Sequence, residues 1–177
     1  ETNLVLHQGL TISGKSMREH LEIINHHEAI GYIKDLIQKN TILNEREVLS
    51  IHNLILRGIH PEEAGRYRKN QLKIPGSSHL PPSPLTVPKE MEDFFIWYDT
   101  HKNKLHPIVL AAEIHERVLT IHPFENGNGR TARLIMNLVL LQHDYPIAII
   151  KGDNESRIHL YQALETAQTK NNKEDFL

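Results

Sequence analysis

Apolar residues recur at helical rather than strand spacing along most of this chain. Leu21, Ile24, Ile30, Ile33 and Ile37 lie close to multiples of the helical repeat and predict a helix over 16–38. Asn44, with Glu47 three residues on, has the form of a capping box, and Val48, Ile51 and Ile55 follow on one face. Pro88 suits a first helical position before Met91, Phe94, Phe95 and Tyr98. Pro107 does the same before Ile108, Ala111, Ala112 and Val118. That helix must stop before Pro123, because the residue ahead of a proline avoids the α region. The run Leu134 to Leu141, broken only by Asn137, is apolar nearly all round and predicts a central buried helix that starts near Arg130. A last helix over 154–169 turns Leu160, Ala163, Leu164 and Ala167 inward.

The stretch 66–88 breaks the pattern. Gln71-Leu72-Lys73-Ile74 and His79-Leu80 flank a Pro75-Gly76-Ser77-Ser78 turn, which predicts a small β-hairpin over about 70–82. Prolines 81, 82 and 84 would keep that hairpin from joining a larger sheet. A plain surface loop is the alternative reading. No repeat or linker interrupts the chain, so the expectation is one mainly α domain over 1–177, with its core at about 45–170. Both ends read as cut. Glu1 to Leu6 resembles the tail of a helix whose start lies upstream.

Composition narrows the function. With 39% hydrophobic and 24% charged residues, 177 residues suit a soluble globular fold with a sizeable core. A net charge of −2 offers no global basic field for nucleic acid or an anionic membrane. The absence of cysteine excludes a disulfide scaffold and a thiolate zinc site, and it fits a cytoplasmic setting. Apolar runs are too short to span a bilayer. His27-Glu28 and His115-Glu116 each begin like a zinc-helix motif, but neither has the second histidine that the motif needs.

One segment carries chemistry: His122-Pro123-Phe124-Glu125-Asn126-Gly127-Asn128-Gly129-Arg130-Thr131-Ala132-Arg133. A glycine-rich turn that opens a helix is a phosphate cradle of backbone N–H groups. Arginines at the first turn of a helix are disfavoured by its dipole unless an anion lies near. A histidine beside such a cradle can take a proton at neutral pH. Phe124 reads as packing that fixes the turn.

This segment resembles the signature of the Fic (Fido) family, His-x-Phe-x-Asp/Glu-Gly-Asn-Gly-Arg-x-x-Arg, and the resemblance extends over about residues 1–168. It implies a Fic-type helical bundle around a buried central helix, with a β-hairpin flap, and transfer of AMP from ATP to a Tyr, Ser or Thr hydroxyl of a protein. By that resemblance His122 is the general base. Gly127, Asn128 and Gly129 form the anion hole, with an Asn128 side-chain contact to the α-phosphate, and Arg130 and Arg133 hold the outer phosphates. Tyr161 and Gln168, seven apart on one helix face, line the adenine pocket. Ile74, Gly76, Ser77, Ser78 and His79 belong to the flap that presents the target protein. Gly129 separates the chain from a phosphorylating branch with lysine at that position. Asn126 departs from the family, whose Asp or Glu there binds Mg²⁺. An asparagine keeps one neutral oxygen and predicts a weakened metal site.

The inhibitory Ser/Thr-x-x-x-Glu-Gly/Asn helix of many Fic proteins does not occur in the sequence, and the expectation is that it precedes residue 1. The alternatives are a non-catalytic nucleotide-binding module, removal of AMP from a modified protein, or transfer from another diphosphate donor. ATP and a target protein are the expected partners. The oligomeric state stays open, a homodimer included.

Overall fold

The computed structural model describes residues 16–150, 153–170, 172–174 and 176. The reading of Glu1 to Leu6 as a helix tail lies outside the described residues. Among the described residues six helices follow one another: α1 (Met17–Gln38), α2 (Glu45–Leu56), α3 (Val87–His101), α4 (Pro107–Ile121), α5 (Asn128–Gln142) and α6 (Asn154–Lys170). None is long and apolar enough to cross a membrane.

Local signals account for where each helix begins. Ser16 accepts from the Glu19 N–H while Glu19 reaches back to the Ser16 N–H, a reciprocal cap that opens α1. Asn44 accepts from the Glu47 N–H at 3.2 Å and opens α2. Prolines stand in the first turns of α3 and α4, where a missing N–H costs nothing.

Helix α5 runs through the middle of the bundle, against α4 most extensively and then α1 and α2. Ala132, Ile135, Leu138 and Val139 on it are fully enclosed. Burial of each such side chain stabilises by about 1.5–3 kcal/mol before chain entropy is counted. The predicted central helix is therefore present, two residues earlier than expected at its start. On α1 the buried face is Ala29, Ile33 and Leu36, and Ile30 is left exposed. The reason is Asn25, a buried polar residue that turns inward to donate to the carbonyls of Ile55 and Arg57.

The β-hairpin is a correction. Among the described residues there is no strand, and 66–86 is an irregular loop around a turn in which the Ser77 N–H bonds the Ile74 carbonyl at 3.2 Å. Prolines at 75, 81, 82 and 84 remove the donors that a ladder requires. Side chains take the carbonyls instead: Arg68 donates to those of Asn70 and Pro82, and Gln71 to that of Pro81. The expected alternation survives, with Leu72, Ile74, Ser77 and His79 half-buried between exposed neighbours.

Candidate active site

The signature forms the connection between α4 and α5, residues 122–127, and the first turns of α5, and its geometry starts at His122. This residue ends α4 in the left-handed region, φ 50°, ψ 58°. A non-glycine residue rarely sits there unless its surroundings over-determine it. Here Arg68, itself buried, donates from Nε to the His122 carbonyl at 2.8 Å and from its backbone N–H to the Pro123 carbonyl at 2.9 Å. His122 Nδ1 lies 3.4 Å from the Leu119 carbonyl. A carbonyl can only accept, so Nδ1 carries the proton and Nε2 keeps its lone pair. Burial, and then the charges of Arg68 and His79, hold the imidazole below its usual pKa, opposed by the bond to Leu119. The ring is therefore neutral, and a base, at pH 7.

The turn that follows is stapled from within. Phe124 is fully buried, and its N–H and C=O are both bonded by the Asn128 side chain, at 2.9 and 2.8 Å. Asn128 Oδ1 is thereby engaged, while Nδ2 keeps one N–H beyond its bond to Phe124. Gly127 has φ +81°, and a Cβ there would meet the His52 ring at 3.4 Å. Only glycine accepts that conformation without strain. His52, buried on α2, stacks on Phe124 with centroids 3.6 Å apart. Its Nε2 donates to the Asn126 carbonyl at 2.9 Å and its Nδ1 accepts from the Gly65 N–H at 3.0 Å. Burial lowers its pKa to about 4, against a smaller raising effect of the Asn126 carbonyl, so this bridging ring is neutral.

Helix α5 starts with no side-chain cap, and its first internal bond runs from the Thr131 N–H to the Gly127 carbonyl at 2.9 Å. The N–H groups of Asn128, Gly129 and Arg130 precede it and have no partner within the helix. An uncapped helix start in a glycine turn attracts an anion. Arg130 reaches back toward Glu22 of α1 at 3.8 Å. Among the described residues no carboxylate pairs with Arg133. A Cβ at Gly129 would lie 3.3 Å from Arg133 Nη1, so glycine also leaves the guanidinium its place.

These groups open onto one cleft of about 530 Å³ between α4, α5, α6 and the 66–86 loop. His122, Gly129 and Arg133 line one wall, Tyr161 and Gln168 the opposite wall, and Ile74, Gly76 and Ser77 the rim. Ser78 and His79 lie just outside. Ser77 and Ser78 hold Glu165 of α6 through both hydroxyls and the Ser78 N–H, and His79 Nε2 donates to the Thr120 carbonyl at 2.8 Å. Asn126 is exposed, and its amide nitrogen donates to Glu63 at 2.7 Å. Glu125 points away from the turn and accepts from the N–H groups of Lys69 and Asn70.

Four residues of this arrangement carry no signal of their own in the sequence: His52, Glu63, Arg68 and Glu165. Each acts across a contact more than twelve residues long, which periodicity and local motifs do not report.

Comparison with known proteins places the geometry in a family context. Residues 42–140 match the description "Fic/DOC family". A protein adenylyltransferase Fic of Nematostella vectensis is 40% identical over 90% of this chain, and one of Drosophila melanogaster is 34% identical over 93%. The chain spans only 38% and 33% of the length of these curated relatives. Among solved structures, Fic-1 of C. elegans superposes with a TM-score of 0.87 at 31% identity, covering 99% of this chain and 51% of that one. A Fic domain containing signaling protein from Bacteroides thetaiotaomicron gives a TM-score of 0.85 at 30% identity, covering 99% of this chain and 68% of that one.

Proposed function

This chain belongs to the Fic/DOC family, and on that premise we propose that it transfers AMP from ATP to a hydroxyl group of a protein. The observation that carries the reading is convergence. The free lone pair of His122, the uncapped start of α5 and the guanidinium of Arg133 all face one cleft.

In that cleft His122 Nε2 takes the proton of the target hydroxyl. The hydroxyl oxygen forms a bond to the α-phosphorus, the bond from that phosphorus to the β-phosphate oxygen breaks, and pyrophosphate leaves. The N–H groups of Asn128, Gly129 and Arg130 stand where charge develops on the phosphoryl oxygens, the arrangement in which fixed donors lower a barrier most. Arg133 takes the outer phosphates as a fork, and Arg130 adds positive charge at the same helix start. Tyr161 and Gln168 receive the adenine, and the 66–86 loop seats the target beside His122. Names of relatives support the activity, since the two similar proteins above are named protein adenylyltransferases.

Mg²⁺ fits the residues present. It prefers oxygen ligands and keeps several waters. The Asn126 amide carries one such oxygen, Oδ1, beside the Glu63 carboxylate to which its nitrogen now donates. When bound, the ion would neutralise charge on the phosphates.

The test is incubation with α-³²P-ATP and Mg²⁺, with His122→Ala beside the parent chain and ATP affinity followed by calorimetry. Label on protein should fall about 10²–10⁴-fold in the variant while ATP binding persists. Equal labelling in both would overturn the role of His122. Tight ATP binding without label on any protein would favour a nucleotide-binding module, a reading to which Asn126 lends weight.

A further inference from the structure

The carboxylate missing at position 126 is present in space, from another part of the chain. Glu63 lies in the turn after α2, and its Oε2 accepts from Asn126 Nδ2 at 2.7 Å. The two residues do not meet by chance of side-chain reach. His52 bonds the Gly65 N–H with one ring nitrogen and the Asn126 carbonyl with the other, so one buried imidazole fixes both segments against each other. Gly65 has φ +68°, and a Cβ there would meet Asn53 Cβ at 3.0 Å and the Leu49 carbonyl at 3.2 Å. The turn that carries Glu63 therefore has little room to shift. Glu63 is itself about three-quarters buried, which limits its rotamers, and His60 Nδ1 stands 3.8 Å from its other oxygen. His60, Glu62 and Glu63 bring ligand atoms within 4.8 Å of one another.

We propose that Glu63 supplies the anionic oxygen for the divalent cation of the phosphate site, acting together with the Asn126 amide. The inference rests on the adenylyl-transfer reading above. Two oxygens that occupy neighbouring positions of an octahedral Mg²⁺ site stand about 2.9 Å apart, given metal–oxygen distances of about 2.0–2.1 Å. The 2.7 Å separation of the amide and carboxylate is close to that spacing. A half-turn of the amide presents Oδ1 instead of Nδ2 to the same side, so a cation replaces the hydrogen bond without movement of the backbone. The pair then offers what one Asp or Glu offers elsewhere in the family: an oxygen ligand and one negative charge. It also accounts for an asparagine at 126. An aspartate there would face the Glu63 carboxylate at hydrogen-bond distance with no proton between them, and like charges that close repel.

Mn²⁺ is the probe, followed by its EPR signal during titration of the chain saturated with the non-hydrolysable ATP analogue AMPPNP. Glu63→Gln keeps the hydrogen-bonding shape and removes the charge, and it should weaken Mn²⁺ binding about 10–100-fold. Adding Asn126→Asp to Glu63→Gln should restore most of that loss, whereas Asn126→Asp alone should give little gain because Glu63 opposes it. AMPPNP affinity measured in EDTA should be the same in all four proteins, which separates a metal effect from a damaged turn. Mn²⁺ affinity within twofold of the parent in Glu63→Gln, with AMPPNP still bound, would overturn the role of Glu63 and leave the adenylyl-transfer reading standing. A parent chain that binds no AMPPNP would overturn both.

Discussion

The inner wall of the cleft and the loop at its rim, its outer wall toward solvent, are built on different principles. The inner wall, from His122 through Gly127 to Arg133, is enclosed by α2, α4 and α5 and stapled by buried groups: Asn128 on Phe124, and His52 between Gly65 and Asn126. The outer wall, from Arg68 to Pro82, has no ladder and no core of its own. It hangs from side chains that reach it, Arg68 and Gln71 from within and Glu125 and Glu165 from outside. In the proposed function the inner wall holds charge in a geometry fixed by buried bonds, and the outer wall, which would seat the target, is tied at points that can be released. Acidification, truncation of the inner staple and release of the outer tie test that contrast in turn.

Acid should strike the inner wall hardest. His52 accepts a hydrogen bond at Nδ1 while donating at Nε2, which only the neutral ring can do. Its folded pKa, about 4, lies below the ordinary 6.5, so the unfolded chain binds more protons between those values. Stability is therefore full above about 6.5 and falls as pH drops from there toward 4, by about 3 kcal/mol for this one residue. His115, buried and likewise lowered to about 4 chiefly by burial, adds a similar amount over the same window. Urea unfolding at pH 7.5 and 4.5 measures the sum. His52→Gln retains a donor and an acceptor but cannot titrate, and it should remove about half of the pH dependence. An unchanged dependence in that variant would show that His52 is not part of it.

The next effect is smaller and insensitive to pH. Asn128→Ala strips both partners from the buried Phe124 peptide groups, at about 1–3 kcal/mol for each. A loss of about 2–4 kcal/mol in urea unfolding should accompany weaker ATP binding, because the turn that presents the free N–H groups is no longer held. A loss below 1 kcal/mol would mean that water replaces the amide and the staple is dispensable.

This same contrast governs what could be read from the sequence. The inner wall is contiguous: base, turn and arginines lie within twelve residues, each with a local conformational reason to be where it is. Helix boundaries were equally legible, because caps and prolines act within a turn of themselves. Tyr161 and Gln168 were placed by the family resemblance together with their seven-residue spacing, and both line the cleft. The outer wall was legible only in its alternation. A strand depends on partners elsewhere, and here four prolines deny the ladder while distant side chains take its carbonyls. The bonds of the Asn128 side chain to Phe124 were hidden for a related reason: only the closed geometry of the turn shows them. Arg68 and Glu165 are ordinary charged residues in sequence and become ties only once the loop folds back on α4 and α6.

The outer tie yields the smallest effect and the sharpest contrast. Glu165 accepts from the hydroxyls of Ser77 and Ser78 and from the Ser78 N–H, and these bonds, those of Ser77 first, hold its carboxyl below the ordinary 4.5. A carboxylate with a lowered folded pKa contributes above its unfolded value and loses that contribution as pH falls through the folded one. The tie is thus fully made at neutral pH and lets go only below pH 4.5. It is solvent-exposed, so it governs the loop rather than the global fold. In Glu165→Ala, amide exchange at Ser78 should quicken at pH 7 while the urea midpoint stays where it was, and protection along α5 should not change. A simultaneous drop in the urea midpoint would mean that the loop and the helical core unfold together. The two walls would then be one cooperative unit, and a partner could not enter by loosening one of them alone.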